Sequence, residues 1–425
     1  MEKVLIITYY YPPCNLTASR RIESFAKYLP EHGFYPIVVT RKWENEVKNP
    51  ADILMKTTKG IDVQKSNSGE IHYLPYQPCL RDRIFQKSDK VFFKFLSKIL
   101  TIIQILGYSF SVKFIPFSNI YFHAKKLINK HNITKIIISA NPFEIFLFGY
   151  LLKRKLHVNW VADYRDDWNT SELPEYKNKP FFVRKIETYY EKKWVGSASI
   201  ISTISPYYAY KISEFVNRPT EVILNGFEFD NNLLKGNNYN SEFTIVYLGT
   251  LYQSQIIEVV LQGFKNAVNE LQSGIKIIFP GLAFDKTQAD RVKFLLRGYE
   301  EYYEISDRIP FNKVLELQQR AHLMLMVPHK NIKGIPSSKL YEYIGLGKRV
   351  LLCPSDEDII EETILDCNLG YVCTSEEGAY KMLVESVKNK KDWEATNLSV
   401  SQTSKINTYS RKHQVYKLSL LLNNL

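Results

Sequence analysis

One short segment, residues 333–352, combines a predicted helix start with charged side chains at a spacing that suits an anionic ligand. Pro336, Ser337 and Ser338 predict a helix N-terminus whose free backbone N–H groups a serine hydroxyl can cap. Lys339, in the first turn, opposes the helix dipole, which has no benefit for the helix alone. A bound diphosphate would use both the free N–H groups and the ammonium group.

Glu342 follows Lys339 by three residues, so the two side chains share nearly one face of the predicted helix. Its carboxylate could accept hydrogen bonds from two sugar hydroxyls, as acidic residues do for ribose in dinucleotide-binding proteins. Gly249 and Thr250 directly follow another predicted strand, where a glycine would let a ligand approach the backbone closely. On spacing alone, an ordinary capped helix explains the first segment equally well. The glycine at 249 is weak evidence by itself, since many βα turns need a glycine for steric reasons.

A second group of charged residues ends a predicted strand, in residues 161–169. In an open α/β sheet, ligands bind in the crevice beyond the carboxyl ends of the strands. Asp166 or Asp167 could act there as a general base or orient an acceptor hydroxyl, with Arg165 as the residue that orients the carboxylate. Asp163 is placed for the same role. For any single residue, an Arg–Asp pair that fixes a loop is an equally good explanation.

The exit of the first predicted strand, residues 8–21, carries Asn15 and then Arg20 and Arg21 in the first turn of a predicted helix. No Gly-x-Gly-x-x-Gly motif follows, so a dinucleotide site of the dehydrogenase type is disfavoured. The two arginines could reach an anion, although solvated surface arginines are the more usual explanation for such a pair.

The elements that must position these residues alternate between short β-branched runs and helical stretches, which is typical of βαβ units on parallel sheets. The chain has 425 residues, too many for one ordinary core, and two domains are expected. We place the N-terminal domain at 1–220 and the C-terminal domain at 240–405. An Asn-rich stretch at 229–241 separates them, and an amphipathic helix is predicted from about Tyr409.

Hydrophobic periodicity sets the predicted boundaries within each domain. Residues 43–90 are Lys-rich without clear periodicity, and we assign them no element. In the N-terminal domain, the predicted helices are 18–29, 143–155 and 179–195. In the C-terminal domain, the predicted strands are 243–247, 275–279, 322–327 and 349–352, and the predicted helices are 256–271, 311–320, 337–347 and 358–365.

Composition indicates a globular protein with an anionic partner. Lys and Arg number 56 against 44 Asp and Glu, a formal charge of +12, which suits phosphorylated ligands, nucleic acid or acidic lipids without choosing among them. The five cysteines are scattered and form no CxxC pair, so a reducing cytosol fits best. No apolar run reaches the roughly 18 residues of a spanning helix, and the short N-terminal run reads as a buried strand.

Residues 91–106 have the composition of a helix that could lie on a membrane. Lys94, Lys98, Thr101 and Gln104 recur on one side, and aromatic and aliphatic residues cover the rest. A basic face beside a wide apolar face fits an interfacial helix that touches anionic lipid. A helix buried within the N-terminal domain would look similar.

Several other chemistries lack their sequence signals. The eight histidines form no HExxH or other metal-ligand cluster, and no P-loop or GxSxG elbow is present. We therefore expect no metal and no cofactor. An aromatic share of 14% with basic residues could suit single-stranded nucleic acid, but no RNA-binding signature appears, so nucleic acid is not an expected partner.

Taken in order, these segments resemble bacterial GT-B glycosyltransferases, in particular the branch of glycosyltransferase family four that builds surface polysaccharides. The resemblance covers most of the chain except about residues 43–110. Its specific blocks are VADYRDDW, at 161–168, and PSSKLYEYIGLGKRVL, at 336–351; the N-terminal YYPP, the SANPFEIFLFG stretch and NGFE at 225–228 are permissive.

The resemblance implies an α/β fold of two Rossmann-like domains that face a central cleft, with the donor bound by the C-terminal domain and the acceptor by the N-terminal domain. The C-terminal helix would pack back on the N-terminal domain. Glu342 would take the ribose hydroxyls, and Ser337, Ser338 and Lys339 would meet the diphosphate. Asn15, Arg20 and Asn141 fall on the acceptor side. Such folds generally need no metal, and the family suggests retention at the anomeric carbon.

The sequence departs from the family pattern at three places. A glutamate often precedes the ribose-binding residue by eight positions, and here that position is Gly334. A basic residue commonly follows the turn at Gly249, where this chain has Gln253, Ser254 and Gln255. The family pattern has glycines in the first βα loop, where this chain has Thr17 and Ala18. The sequence therefore supports the nucleotide contact better than it supports the sugar contact, the phosphate contact near Gly249 or the stereochemical outcome.

The sequence favours transfer of a sugar from a nucleoside diphosphate sugar to a hydroxyl of a glycan or lipid-linked acceptor in surface polysaccharide biosynthesis. The protein would be cytoplasmic, with peripheral contact through residues 91–106 at the inner face of the cytoplasmic membrane. Two alternatives stay open: a sugar-nucleotide epimerase of the same fold, and a catalytically silent scaffold that binds membrane and partners. No motif encodes the sugar, the base or the acceptor.

Overall fold

The computed structural model describes residues 1–49, 51–87, 91–228, 239–395 and 398–425. The chain divides into two compact units, Met1–Leu224 with Gln414–Leu425, and Asn225–His413. Most of the Asn-rich stretch predicted to separate the domains, residues 229–238, lies outside the described residues.

The first unit is built on an eight-stranded sheet in the order β3-β4-β2-β1-β5-β6-β7-β8. All neighbours are parallel except β3, which runs antiparallel to β4. The central strands are apolar on both faces, as a sheet covered by helices on both sides requires. The strands are β1 (Glu2–Thr8), β2 (Phe34–Arg41), β3 (Asp62–Ser66), β4 (Gly69–Leu74), β5 (Lys135–Ala140), β6 (Asn159–Tyr164), β7 (Ile200–Thr203) and β8 (Thr220–Val222).

Helices connect these strands in the βαβ pattern that the alternation predicts. They are α1 (Ala18–Tyr28), α2 (Leu80–Phe85), α3 (Val91–Gly107), α4 (Ser118–His131), α5 (Phe146–Leu156), α6 (Pro174–Lys177), α7 (Phe181–Val195) and α8 (Pro206–Val216). The hairpin β3–β4 and α2 occupy the region 43–90, for which the sequence supports no assignment. Every residue of β3 is exposed, so this edge strand has no buried face to create a period-two pattern.

The second unit holds a six-stranded parallel sheet in the order β11-β10-β9-β12-β13-β14. The strands are β9 (Phe243–Val246), β10 (Ile275–Pro280), β11 (Tyr303–Ser306), β12 (Leu323–Met326), β13 (Val350–Leu352) and β14 (Gly370–Val372). The helices are α9 (Ile257–Leu271), α10 (Lys286–Leu295), α11 (Phe311–Arg320), α12 (Ser338–Gly345), α13 (Ile359–Asp366), α14 (Glu376–Lys388), α15 (Lys390–Ala395) and α16 (Val400–Asn407). The sequence interpretation missed β11 and β14, two short edge strands.

The predicted last helix is present as α17 (Arg411–Asn423), and from Gln414 onward it belongs to the first unit. Its buried residues recur at intervals of three and four, from Gln414 to Leu422. The Gln414 Oε1 accepts a hydrogen bond from the backbone N–H of Leu224 at 2.9 Å, and the Lys417 ammonium donates to the Val222 carbonyl at 3.0 Å. These bonds fasten the C-terminus to the end of β8.

A buried ion pair joins α1 to the centre of the first sheet. The Arg21 Nη2 lies 2.7 Å from the Asp163 Oδ1, with side-chain exposures of 3% and 0%. Asp163 also accepts from the hydroxyls of Ser139 at 2.7 Å and Ser202 at 2.8 Å, one on each neighbouring strand. The Arg21 Nη1 donates to the Ile223 carbonyl at 2.8 Å. The pair therefore connects α1, β5, β6, β7 and the segment after β8.

This network corrects two expectations. Asp163 is not available for catalysis or acceptor binding, because its carboxylate oxygens are occupied by the guanidinium and two hydroxyls within the core. Arg21 is not a solvated surface arginine but one of the most buried charged residues of the unit.

We expect Arg21→Met to reduce the free energy of unfolding of the first unit by about 3–5 kcal/mol, because it leaves the Asp163 carboxylate buried without its partner. Arg20→Met, at the adjacent exposed position, is the matched control and should change it by less than about 0.5 kcal/mol. Denaturant unfolding followed by tryptophan fluorescence in a Trp393→Phe background measures this unit, which contains the other four tryptophans. Equal stability of the two variants would contradict the role given to the pair.

Candidate functional site

A cavity of about 660 Å³ lies in the second unit, beyond the carboxyl ends of β9, β10 and β11. Its lining includes Gly249 and Thr250 after β9, Gly281 after β10 and Arg308 after β11. These strands are neighbours in a parallel sheet, so their carboxyl ends meet at one edge, where α/β folds bind ligands.

The start of α12 also reaches this cavity through Lys339. Gly249 has a φ of +96°, a conformation that favours glycine, and a Cβ there would lie 3.7 Å from the Lys339 Cε. The glycine turn after β9 therefore lies against the lysine stem from α12. The structure brings together Gly249, Thr250 and Lys339, three residues that the sequence assigns to one donor site from segments about 90 residues apart.

Lys339 and Glu342 form an ion pair, with 3.3 Å between Nζ and Oε2. Each side chain is about one-third exposed, so the pair is worth at most about 1 kcal/mol. The pair is a second physical reason, besides a bound anion, for a lysine in the first turn of this helix. It is weak enough that a ligand with more charge can displace it.

The other predicted residues of this segment lie beside the cavity. Ser337 caps α12, because its Oγ accepts a hydrogen bond from the Lys339 backbone N–H at 3.3 Å. Ser338 is the first helical residue. Ser337, Ser338 and Glu342 are not among the described residues that line the cavity, and their role in binding stays a prediction.

Sequence reasoning missed three residues that line this cavity: Lys286, Arg308 and Phe284. The Arg308 guanidinium lies over the Phe284 ring at 3.6 Å from its centroid. Together with Lys339, the wall carries three cations and one carboxylate, Asp285, whose side chain caps α10 through the Gln288 N–H at 3.2 Å. The wall is therefore suited to an anionic ligand. Applying the strand-end rule to the predicted strand β10 would have found Phe284 and Lys286, whereas Arg308 follows β11, which the sequence did not reveal.

The glutamine side chains in the turn after Gly249 form hydrogen bonds within the second unit. The Gln255 Oε1 accepts from the Tyr247 hydroxyl at 3.1 Å and from the Tyr252 N–H at 2.9 Å, and its Nε2 donates to the Val327 carbonyl. Gln253 accepts from Gln288 at 3.0 Å. These amides hold the loop in place, whereas the nearby cations come from Lys286 and Arg308.

In the first unit, the two candidate carboxylates of the loop after β6, Asp166 and Asp167, differ in how far they are buried. Asp166 is half-exposed and pairs with Arg165, at 2.6 Å between Nη2 and Oδ2. Asp167 is only 3% exposed. Burial raises the pKa of Asp167 to about 6, a hydrogen bond from Ser171 opposes the shift, and the neighbouring Asp166 adds to it. A carboxyl group with this pKa exchanges protons near neutral pH, as a general base must.

Glu191, on α7, anchors the same loop and was not foreseen. Its carboxylate accepts hydrogen bonds from the Tyr164 hydroxyl at 2.9 Å and from the Asn169 backbone N–H at 3.1 Å and side-chain amide at 2.7 Å. Burial raises the pKa of Glu191 to about 7, with Asp167 contributing. The only sequence signal is an acidic residue at a buried helical position, which marks a polar contact without identifying its partner.

The three predicted acceptor-side residues lie in three different environments. Asn15 bonds both the N–H and the carbonyl of Val47, at 3.0 and 3.3 Å, so it holds a loop. Arg20 is exposed on α1 and pairs with Glu23 at 3.2 Å. Asn141 directly follows β5, next to the β6 end that carries Arg165. Of the three, only Asn141 directly follows a strand that neighbours β6.

Tyr10 and Glu144 join this strand edge, and sequence reasoning missed both. Tyr10 follows β1 and Glu144 follows β5; in the sheet these strands lie in the order β1-β5-β6. Burial raises the pKa of Tyr10 to about 12, while Arg165 and Arg41 lower it and Glu144 raises it. Burial also raises the pKa of Glu144. The edge thus holds ionisable groups from three adjacent strands.

The described residues offer neither a cluster of metal ligands nor a membrane-spanning helix. They contain no group of three or more His, Cys, Asp or Glu side chains arranged to hold a metal ion. Nor do they contain a helix long and apolar enough to cross a membrane.

Three solved structures share this fold over the whole chain. Sucrose-phosphate synthase from Thermosynechococcus elongatus matches with a TM-score of 0.60 and 12% identity, covering 100% of this chain and 99% of that one. A glycosyltransferase from Rickettsia africae has the same score and identity, with 100% and 98% covered. Anabaena HepE, solved in complex with UDP, also has a TM-score of 0.60 and 12% identity, and both chains are covered completely. No protein-family model and no curated protein sequence matches the chain.

The architecture is therefore α/β with two Rossmann-like domains, the GT-B fold found in glycosyltransferases. The fold class predicted from the sequence is confirmed. At 12% identity the likeness is one of fold, and the ligands of those proteins are their own.

We expect Asp167→Asn to change how the stability of the first unit depends on pH. Because the pKa of Asp167 is raised in the folded state, its protonated carboxyl group contributes to the free energy of unfolding. This contribution is fully present below about pH 4 and is lost as the pH rises through about 6. The variant should lose less unfolding free energy between pH 4 and pH 7, by on the order of 2–3 kcal/mol. Denaturant unfolding at both pH values in the Trp393→Phe background measures the difference.

Asp166→Asn is the matched control, because its carboxylate is half-exposed and paired with Arg165. It should leave most of the pH dependence in place. A pH dependence that is the same for wild type and Asp167→Asn would contradict the burial of a titrating group at this position.

Proposed function

We propose that the protein is a glycosyltransferase that transfers a sugar from a nucleoside diphosphate sugar to a hydroxyl of a glycan or lipid-linked acceptor. The observation that carries this proposal is the cavity at the carboxyl ends of β9 to β11, walled by Lys286, Arg308 and Lys339. A cationic cavity of about 660 Å³ suits a nucleoside diphosphate in volume and in charge. Anabaena HepE, which shares the fold, was solved with UDP.

The placement of these side chains supports a set of donor contacts. Lys339 and Arg308 face a common space and would bind the two phosphates, with Gly249 and Thr250 offering backbone N–H groups after β9. Glu342 would exchange its pairing with Lys339 for the ribose hydroxyls, and Ser337 and Ser338 would stand beside the diphosphate. Lys339 and Arg308 would stabilise the charge of the leaving diphosphate without a metal ion.

Acceptor activation is assigned to the loop after β6. Asp167 is the better general base of the two carboxylates, because its pKa is raised towards neutrality while Asp166 is engaged by Arg165. Arg165 and Asp166 would orient the acceptor hydroxyl, and Asn141 would contact the acceptor beside them. The acceptor class, a growing surface polysaccharide at the inner face of the cytoplasmic membrane, and retention at the anomeric carbon come from the family resemblance.

Removal of either charged group at the start of α12 should weaken nucleotide binding by roughly 10–100-fold, which takes it below the measurable range. Lys339→Ala removes a phosphate contact and Glu342→Ala removes the ribose contact; charge-assisted hydrogen bonds of this kind are worth about 1.5–3 kcal/mol, or roughly 10–100-fold in Kd. Isothermal titration calorimetry with UDP, GDP and ADP measures the loss. Arg308→Ala tests the cation that the sequence interpretation missed.

Lys293→Ala, an exposed lysine on α10 away from the cavity, is the matched control and should bind the nucleotide as wild type does. Unchanged affinity in both Lys339→Ala and Glu342→Ala would remove the donor-site assignment. Failure of the wild-type protein to bind any of the three nucleotides would favour a catalytically silent scaffold.

Turnover should depend on Asp167 more than nucleotide binding does. With a panel of UDP-, GDP- and ADP-sugars, we expect release of nucleoside diphosphate with a kcat that rises through about pH 6 and then levels. Asp167→Asn should lower kcat by about 10²–10⁴-fold while the Kd for the nucleotide stays the same. Recovery of an epimerised nucleotide sugar from the donor alone would instead identify an epimerase.

A further inference from the structure

Helix α3 buries two of its uncharged polar side chains and exposes a row of large apolar ones. Ser97 and Gln104 are buried, and the Gln104 side-chain amide donates to the Phe114 carbonyl at 3.0 Å. Thr101, between them on the same face, donates its hydroxyl to the Ser97 carbonyl at 2.8 Å. The sequence pattern groups Thr101 and Gln104 with Lys94 and Lys98 on one side of the helix; in the structure Gln104 is buried, whereas the two lysines are exposed.

The outward side of α3 carries an apolar stripe. Its members within the helix are spaced by three or four residues, which places them on one face, and a phenylalanine just beyond the helix end continues the row. Their exposed fractions run from 37% to 85%. The outer apolar stripe consists of Phe92, Phe95, Ile99, Ile103, Leu106 and Phe110. A contiguous exposed row of this kind marks an interaction surface, since isolated exposed apolar residues are the norm.

The inward face of α3 is fixed against α7, so the stripe cannot turn inward. The Tyr190 hydroxyl donates to the Ile105 carbonyl at 2.8 Å, and the Ser109 hydroxyl lies 2.7 Å from the Tyr190 oxygen. Tyr108 adds ring contacts to Tyr190 and Trp194, both buried. The outward orientation of the stripe therefore follows from specific contacts on the opposite face.

The chain around the stripe is basic. Residues 91–143 contain no Asp or Glu and seven lysines, at positions 94, 98, 113, 125, 126, 130 and 135. Lys94, Lys98 and Lys113 are exposed, and none of the three forms an ion pair with another described residue. A ligand for this surface must therefore match an apolar row beside unneutralised positive charge.

We propose that the outer apolar stripe of α3 docks the first unit on the surface of an anionic lipid bilayer. The phenylalanine and aliphatic side chains would enter the boundary between headgroups and acyl chains, and Lys94, Lys98 and Lys113 would meet lipid phosphates. The helix lies on the bilayer, since no described helix is long and apolar enough to cross it. Several lysines beside one apolar face supply the second signal that stable peripheral binding needs.

A bilayer fits this surface better than a second copy of the chain. A symmetric dimer formed through the stripe would bring the same basic surface of two copies together, because the same patch serves both sides of a two-fold interface. Such a contact would place Lys94, Lys98 and Lys113 near their equivalents, and like charges oppose association. An anionic surface removes this repulsion and turns the lysines into an attraction.

This docking surface stands apart from the proposed transferase activity, because it lies outside the cavity in the second unit and needs no nucleotide. Its test uses the full-length protein and vesicles, with no sugar donor. We expect sedimentation with vesicles that contain phosphatidylglycerol, and weak sedimentation with vesicles of phosphatidylcholine alone. Binding should fall when NaCl is raised from about 0.1 M to about 0.5 M, because salt screens the attraction between the lysines and the lipid phosphates.

The variant Phe92→Ser/Phe95→Ser/Phe110→Ser should lower the vesicle partition coefficient about tenfold or more, and Lys94→Glu/Lys98→Glu should remove the preference for phosphatidylglycerol. All three phenylalanines are more than half exposed, so the fold does not depend on them. The matched control is Phe294→Ser/Leu365→Ser/Val400→Ser, three apolar residues of the second unit with exposures of 58–88%. It should bind vesicles as wild type does.

Equal vesicle binding by the stripe variant and the control would overturn the proposal. So would a wild-type protein that binds no phosphatidylglycerol vesicles. A dimer that light scattering detects in wild type and not in the stripe variant, without vesicle binding, would assign the stripe to self-association instead. Nucleotide binding measured on the same variants separates this outcome from failure of the transferase proposal, since the stripe variant should retain it.

Discussion

The buried pair of Arg21 and Asp163 is the contact on which the first unit depends. One guanidinium and one carboxylate, separated by 142 residues in sequence, connect a helix to three adjacent strands and to the segment after β8. A charge buried this deeply is tolerable only when each of its hydrogen-bonding atoms has a partner. Because Asp163 lies near the carboxyl end of β6, the pair also fixes where the charged loop begins. Asp163 is saturated and structural, whereas Asp167, four residues on, is buried with fewer donors and has a raised pKa.

Each unit gathers its candidate site at the carboxyl edge of a parallel sheet, by the same geometric rule. In the second unit, side chains that follow β9, β10 and β11 meet the first turn of α12 around one cavity. The resulting group of Lys286, Arg308 and Lys339 owes its charge density to the strand order and not to any local cluster in the chain. In the first unit, residues after β1, β5 and β6 converge similarly, and Glu191 on α7 holds the loop that presents them.

Helix α3 shows how tertiary contacts choose between two orientations that its composition allows equally. A helix with a polar side and an apolar side ordinarily turns the apolar side to the core. In α3 the small and amide side chains face inward, where Gln104 finds a backbone carbonyl and α7 contacts the helix through Tyr190. The phenylalanines are then left on the outside. The composition of residues 91–106 indicated an amphipathic helix correctly, but both orientations satisfy the same helical period.

The sequence by itself determined the fold class and the alternation of strands and helices, because hydrophobic period and turn residues are local signals that survive without neighbours. The grouping of Gly249 and Thr250 with Lys339 came from the family resemblance. The sequence did not reveal β3, β11 or β14, since short edge strands lack a buried face to pattern them. Only the tertiary structure decided that Arg21 and Asp163 form a buried pair and that Arg308 and Lys286 join Lys339. It also decided that the apolar stripe of α3 is exposed. Those outcomes depend on which distant segments the sheet order brings into contact, and on the burial that follows, neither of which is written in the spacing of residues along the chain.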